Sequence, residues 1–172
     1  LGFPAWVTGA PDAGGLAEAF RGGAGILVTA DESSFIAVNL QTRRVADNNE
    51  ATALGFVTAL GLMAGGLAGR QALVLGAGAV GRAAARRLLE QGAQVSLCDL
   101  RGERARAAAA ALRTAALDGA QVSSEDDLER ALRGHRLLFD ATPAPGFILE
   151  RHLAPETRIA APGVPLGLSA GA

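Results

Sequence analysis

The sequence predicts an α/β protein in which a small α/β lobe precedes a doubly wound parallel sheet with helices on both faces. Three observations carry that expectation. From Gln71 onward, apolar runs of strand length alternate with runs of helix length, the pattern of a parallel sheet with crossover helices. A glycine-rich turn, Gly76-Ala77-Gly78-Ala79-Val80-Gly81, stands between the first of these strands and the first of these helices. Before Gln71 the pattern differs, with short strands separated by turn residues.

In chain order, Leu16 to Phe20 reads as helical, and Gly25 to Thr29 is a short apolar run typical of a buried strand. Phe35 to Asn39 reads as a second strand, and Gln41-Thr42 turns the chain into a third at Arg44 to Ala46. Asp47-Asn48-Asn49-Glu50 is a helix start, since Asp47 stands three residues before Glu50, the spacing of a capping box. The run from Ala51 to Gly69 is free of charge, which raises a membrane span. Its five glycines and the lack of an aromatic belt favour a helix buried between two lobes instead. Next come a strand at Ala72 to Leu75, an Arg-faced helix at Val80 to Leu89 and a strand at Gln94 to Cys98. An Ala-rich helix covers Glu103 to Leu112, within an alanine-dense stretch from Ala105 to Ala116. A short strand at Ala120 to Val122 leads to a helix at Glu125 to Leu132, capped by Ser123 or Ser124. Strands follow at Leu137 to Asp140 and Arg158 to Ala160.

Composition narrows the classes. Of 172 residues, 49% are apolar and 19% charged, enough apolar side chain for a sizeable core. The net charge of -1, with both signs interspersed, lacks the concentrated positive face of a nucleic-acid binder. All sixteen cations are arginines, and there is neither Lys nor Tyr, so a lysine base, a Schiff base or a Tyr–Lys pair cannot operate on these residues. The single Cys98 forms no internal disulfide and fits a reducing cytoplasm. The chain opens without Met or a signal peptide and stops abruptly at Gly171-Ala172, as if flanking segments were missing.

The glycine turn has a chemical reading. Gly76 permits the tight turn, Gly78 lets the backbone approach a pyrophosphate, and Gly81 lets the helix pack close to its strand. The helix N-terminus then offers free N–H groups and its positive dipole end to phosphates. Asp99 ends the next strand, 18 residues after Gly81, where a carboxylate accepts both ribose hydroxyls and repels a 2′-phosphate. The unit is therefore a Rossmann-like site that favours NAD over NADP, while Arg101, two residues on, is in principle able to bind such a phosphate. The alternative is a packing turn without a ligand. Asp140-Ala141-Thr142-Pro143-Ala144-Pro145-Gly146 leaves a strand at the same sheet edge, with Thr142 placed toward the nicotinamide half. Ala161-Pro162-Gly163-Val164-Pro165 ends the following strand in the same way; both segments are equally readable as proline-fixed surface loops.

For proton handling the usual residues are His135 and His152, but both lie in charged surroundings that read as solvated surface. Asp31 is the better candidate. It leaves an apolar strand of the first lobe beside Glu32, and Asn39 and Asn48 leave the neighbouring strands. Facing the nucleotide lobe, Asp31, Asn39 and Asn48 make a polar wall suited to a cationic amine; the alternative is that they cap turns and helices.

The residues at this point resemble one family, the NAD-dependent 3-methylornithyl-lysine dehydrogenases of pyrrolysine biosynthesis. The resemblance runs through Val7-Thr8-Gly9-Ala10-Pro11-Asp12, Ala30-Asp31-Glu32-Ser33-Ser34-Phe35-Ile36-Ala37-Val38-Asn39-Leu40 and Val45-Ala46-Asp47-Asn48. It continues through Val74 to Gly81, Asp140 to Pro143 and Pro162 to Pro165. It implies oxidation of a terminal primary amine to an imine, hydrolysis to an aldehyde and ring closure. It matches Asp31 to the acidic residue that holds the substrate amine and Asn48 to a polar active-site residue. Asp31 is thus the expected catalytic residue, and the polar-wall reading adds Asn39 to Asp31 and Asn48 as substrate-binding. Gly76, Gly78, Gly81, Asp99, Thr142 and Pro143 match its cofactor positions, and Ala77, Ala79, Val80, Ala144 and Pro162, in the same turn and loops, are expected to bind the cofactor with them.

The expected organisation is a partial substrate lobe over 1–49, a linking helix over 50–69 and an NAD-binding Rossmann domain over 70–172. The family also carries N-terminal helices and a C-terminal tail that this sequence lacks. The expected partner is a small amino-acid-derived substrate rather than a nucleic acid or a membrane, with a homodimer compatible. No metal is expected. Two other readings remain: a shikimate-dehydrogenase-like NAD(P) oxidoreductase, whose Lys-dependent chemistry these residues do not supply, and a non-catalytic NAD-sensing module.

Overall fold

The computed structural model describes residues 2, 4–31, 34–115 and 121–172. Glu32 and Ser33 of the family resemblance, and the alanines 116 and 120 of two sequence expectations, lie outside them. The chain divides into two units, Leu1–Asn48 and Asn49–Ala172.

In the first unit, helix α1 (Asp12–Arg21) precedes three short strands, β1 (Ile26–Ala30), β2 (Phe35–Asn39) and β3 (Arg44–Asp47). They form an antiparallel meander in the order β1-β2-β3. Asn39 closes the second hairpin, its Oδ1 accepting the N–H groups of Gln41 and Thr42 at 3.1 and 2.9 Å. The expectation of a buried β1 is overturned: Ile26 and Val28 are 60% and 63% exposed. An apolar run is consistent with burial but does not supply a cover, and a three-stranded meander with one short helix has too little mass to cover both faces.

The second unit begins with helix α2 (Asn48–Ala64), whose first residue still belongs to the first unit. Its buried residues are Ala53, Val57 and Leu60, one stripe at i, i+4 and i+7. Leu54, Leu62 and Met63 are exposed, so burial is one-sided where the charge-free sequence predicted a buried helix. Gly65 and Gly66, at φ +69° and +118°, end the helix five residues before the charge-free run does. Among the described residues no helix is long and apolar enough to cross a membrane.

The rest alternates as the sequence predicts: β4 (Gln71–Leu75), α3 (Ala79–Glu90), β5 (Gln94–Cys98), α4 (Gly102–Ala115), β6 (Val122–Glu125), α5 (Leu128–Gly134), β7 (Leu137–Asp140) and β8 (Arg158–Ala160). The sheet is parallel throughout, in the order β6-β5-β4-β7-β8. Alternate strand residues face opposite sides. Val74, Val95 and Leu97 thus join Ala84 and Leu88 of α3 and Ala105 and Ala109 of α4 in one core. Leu73, Leu75 and Leu138 join Ala131 and Leu132 of α5 and Ile148 in the other.

Two local expectations are corrected. Ser123 and Ser124 lie inside β6, and Asp127 caps α5 instead, accepting the Arg130 N–H at 3.0 Å. Asp competes well with Ser at this position, and pairing of β6 with β5 claims the serine backbone. His135 and His152 are buried, at 9% and 3% exposure, rather than solvated. Each ring is bonded inside the unit: His135 Nδ1 meets Ala131 O at 2.8 Å, and His152 Nδ1 accepts the Leu149 N–H at 3.0 Å.

Candidate functional site

In a parallel sheet all carboxyl ends lie on one edge, and the chain order reverses between β4 and β7, where β4 is flanked by strands reached in opposite directions. Such a switch point opens a crevice. Its floor is the turn after β4. Gly76 has φ +88°, a left-handed conformation that glycine adopts without strain. A Cβ on Gly81 would fall on Gly76 O, so the helix sits against the turn as closely as the motif requires. A Cβ on Gly78 would meet nothing within 4 Å, which leaves open space over that backbone. Gly78 is the N-cap of α3, and no side chain caps the helix. The first N–H groups of α3 therefore lack side-chain acceptors, as an anion site requires.

Asp99 follows β5 at the same edge. Its Oδ2 accepts the Ala77 N–H at 2.8 Å and its Oδ1 the Arg101 N–H at 2.9 Å. Burial works to raise its carboxyl. The N–H groups of Ala77 and Arg101, helped by the Arg104 and Arg101 guanidiniums, outweigh burial and hold it below the ordinary 3.8. Each oxygen keeps a further lone pair, so the carboxylate can still accept from two hydroxyl donors.

Across the switch point, Asp140 ends β7 opposite Leu75. It is fully buried. Oδ1 accepts the Thr142 N–H at 3.0 Å and the Thr142 hydroxyl at 2.7 Å, and Oδ2 accepts the Gly167 N–H at 3.1 Å. The Thr142 methyl stands 3.2 Å from the point where a Cβ on Gly76 would lie. Pro143 and Ala144 are exposed beyond it, and Pro162 is half-buried just past β8. The sequence places Asp140 at the end of a strand and the start of a loop motif but gives it no site role; the signal for one is an acidic residue closing an apolar strand run.

A second cleft, of about 640 Å³, opens near the first residues of the strands, Gln71 and Gln94, away from the glycine turn. It is lined by Ser96, Ser123 and His135. His135 Nε2 lies 3.1 Å from Ser96 Oγ, which lies 2.9 Å from Ser123 Oγ. That chain satisfies a buried ring. Among the described residues no group of three His, Cys, Asp or Glu could hold a metal.

In the first unit, Asp31 leaves the end of β1, where its Oδ1 accepts the Ser34 N–H at 2.7 Å. The meander puts Asn48, after β3, at this same end, because Ala30 pairs with Phe35 and Ile36 with Asp47. Asn39 pairs with Ile26, four register steps away, or about 13 Å at strand rise. The structure therefore brings Asp31 and Asn48 to one end and leaves Asn39 at the other; the single polar wall of three residues does not form within this unit. Antiparallel pairing is the cause, since it sets the carboxyl end of β2 beside the amino end of β1.

The parallel five-stranded order and the glycine turn define a Rossmann-like domain of the dehydrogenase kind. The chain belongs to the family described as the alanine dehydrogenase/PNT C-terminal domain, whose model matches residues 44–148. Residues 1–46 match the N-terminal domain of the pyrrolysine biosynthesis protein PylD. The chain is 29% identical over 176 aligned positions to the pyrrolysine synthase of Methanosarcina acetivorans, covering 98% of this chain and 61% of that protein. It is 28% identical over 171 positions to the pyrrolysine synthase of Methanosarcina barkeri, covering 98% and 60%. The chain thus spans about three fifths of the length of these relatives. Among solved structures, the quinate dehydrogenase of Corynebacterium glutamicum in complex with NAD aligns with a TM-score of 0.63 at 19% identity, over 84% of this chain and 61% of that one. At that identity the likeness speaks for the fold.

Proposed function

We propose that this chain is part of an NAD-dependent amine dehydrogenase of pyrrolysine biosynthesis, acting on the terminal primary amine of 3-methylornithyl-lysine. The observation that carries the reading is the join of a PylD-type first unit to a glycine turn whose Ala77 N–H is held by Asp99. The turn supports a dinucleotide, and the relatives named pyrrolysine synthase supply the substrate class.

NAD, when bound, accepts hydride. The chain's own groups hold and prepare. The open backbone at Gly78 and the first N–H groups of α3, at Ala79, Val80 and Gly81, would take the pyrophosphate, and Asp99 the adenosine ribose. Thr142, Pro143, Ala144 and Pro162 would bound the nicotinamide half. Asp31 would hold the substrate ammonium and accept its proton, freeing the nitrogen lone pair that drives hydride off the adjacent carbon. The carbon–nitrogen bond becomes an iminium; water then adds, ammonium leaves, and an aldehyde remains that condenses with the α-amine to close the ring.

The test is NADH formation by the full-length protein with 3-methylornithyl-lysine, and separately with shikimate or quinate. NADH formed with the dipeptide-like amine alone supports the reading. NADH with shikimate or quinate overturns it in favour of a shikimate-type oxidoreductase. NAD binding without turnover of any of the three overturns it in favour of a sensing module.

A further inference from the structure

We propose that Asp140 is a positioning residue that fixes Thr142 Oγ1 as a hydrogen-bond acceptor. The ligand group received there is then an N–H or O–H donor from the nicotinamide-riboside half of the dinucleotide. The inference rests on the NAD reading above and deepens it.

A fully buried carboxylate is costly unless it is hydrogen-bonded. Asp140 meets that condition with three donors from two loops: the Thr142 N–H, the Thr142 hydroxyl and the Gly167 N–H. Neither loop has slack around it. A Cβ on Gly163 would fall on Thr142 O, and a Cβ on Gly167 would fall on Asp140 Oδ2. The carboxylate clips the loop after β7 to the chain after β8.

The clip has a chemical consequence. A threonine hydroxyl has one hydrogen and two lone pairs. Its hydrogen points to Asp140 Oδ1 at 2.7 Å, so only lone pairs are left to face elsewhere. The Thr142 methyl stands against Gly76, which puts the hydroxyl on the same Cβ beside the switch point. An acceptor held there welcomes a donor and repels a carbonyl or phosphate oxygen. On the nicotinamide-riboside half the donors are the carboxamide NH₂ and the ribose hydroxyls. The carboxamide oxygen is disfavoured by the same polarity.

Calorimetric affinities of wild type, Thr142→Val, Thr142→Ser and Asp140→Asn test this. The probes are AMP, NAD, acetylpyridine adenine dinucleotide (a methyl in place of the NH₂) and NAD deoxygenated on the nicotinamide ribose. AMP affinity should stay within about twofold in all four proteins, since it reports the Asp99 end. Wild type should bind NAD about tenfold tighter than whichever analogue lacks the contacted donor, the size of one net hydrogen bond. Loss with the acetylpyridine probe assigns the carboxamide; loss with the deoxygenated probe assigns the ribose. Thr142→Val should erase the preference, Thr142→Ser should keep it, and Asp140→Asn should weaken it, because one amide oxygen cannot serve both the Thr142 hydroxyl and the Gly167 N–H. If Asp140→Asn does not fold, the Val and Ser pair still decides the acceptor role. Equal wild-type affinity for NAD and both analogues would overturn the proposal, as would full discrimination in Thr142→Val or in folded Asp140→Asn. Wild type that binds neither AMP nor NAD would overturn the dinucleotide reading itself, and this inference with it.

Discussion

Asp99 Oδ2 accepts the Ala77 N–H at 2.8 Å and so ties the end of β5 to the turn after β4 across 22 residues. The carboxylate proposed for the ribose also shapes the turn proposed for the pyrophosphate. Asp99→Ala should therefore weaken NAD by tenfold or more, through a lost charge-assisted contact and a loosened turn. Removing the charge should also narrow the gap between NAD and NADP, because Arg101 stays beside the site. Fluorescence titration of both nucleotides checks this, and wild-type affinities in the variant would sink the ribose assignment.

The depressed carboxyl of Asp99 sets a pH window. Its folded value lies below 3.8, so its stabilising contribution is complete above that value and fades as pH falls through the folded one. NAD affinity should carry no Asp99 titration between pH 5 and 8. A carboxylate-like step in Kd in that range, absent from Asp99→Ala, would contradict the N–H bonds from Ala77 and Arg101 as the controlling influence.

Two glycines of one motif should behave differently. Gly81→Ala drives a methyl onto Gly76 O, a backbone atom, and should cost about 2–3 kcal/mol of stability in a urea titration. Gly78→Ala meets open space and has φ −73°, so stability should change by less than about 1 kcal/mol. Its new methyl should nonetheless weaken NAD by tenfold or more, because it occupies room proposed for the pyrophosphate. Equal binding by Gly78→Ala and wild type would count against the phosphate role.

His135→Ala should destabilise the second unit by about 2 kcal/mol while NAD affinity stays unchanged. The ring is buried and joins Ala131 O to Ser96 Oγ, so its loss leaves a gap and removes the bond to Ala131 O, while Ser96 keeps Ser123. Thermal unfolding and NAD titration on one preparation separate the two readouts. Weaker NAD binding without lost stability would refute a structural role.

Asp31→Asn should keep the Ser34 N–H bonded, since the amide oxygen replaces the carboxylate oxygen that holds it. The variant loses the negative charge and the proton acceptor. In the full-length protein, amine-dependent NADH formation should fall by at least a hundredfold with NAD affinity retained. Turnover at the wild-type rate would remove Asp31 from the chemistry.

Much of the second unit was legible residue by residue. Gly76 to Gly81 and the strands Gln94 to Cys98 and Leu137 to Asp140 are specified by local period and turn chemistry, which act over a few residues. Asp99 was legible too, because its place follows from its distance along one βαβ unit. The histidines were not. Arg133 and Arg136 flank His135 and suggest water, yet Ala131 O and Ser96 draw the ring inward across a helix turn and a strand.

The sequence by itself determined the parallel alternation after Gln71 and the glycine turn with its acidic partner, because hydrophobic period and backbone permissiveness are local properties. Only the tertiary structure decided which polar residues meet. It placed Asn39 at the far end of the meander from Asp31, and it drew Thr142 and Gly167 onto Asp140. Strand direction and loop closure depend on contacts between residues distant in the chain, and no local pattern encodes those.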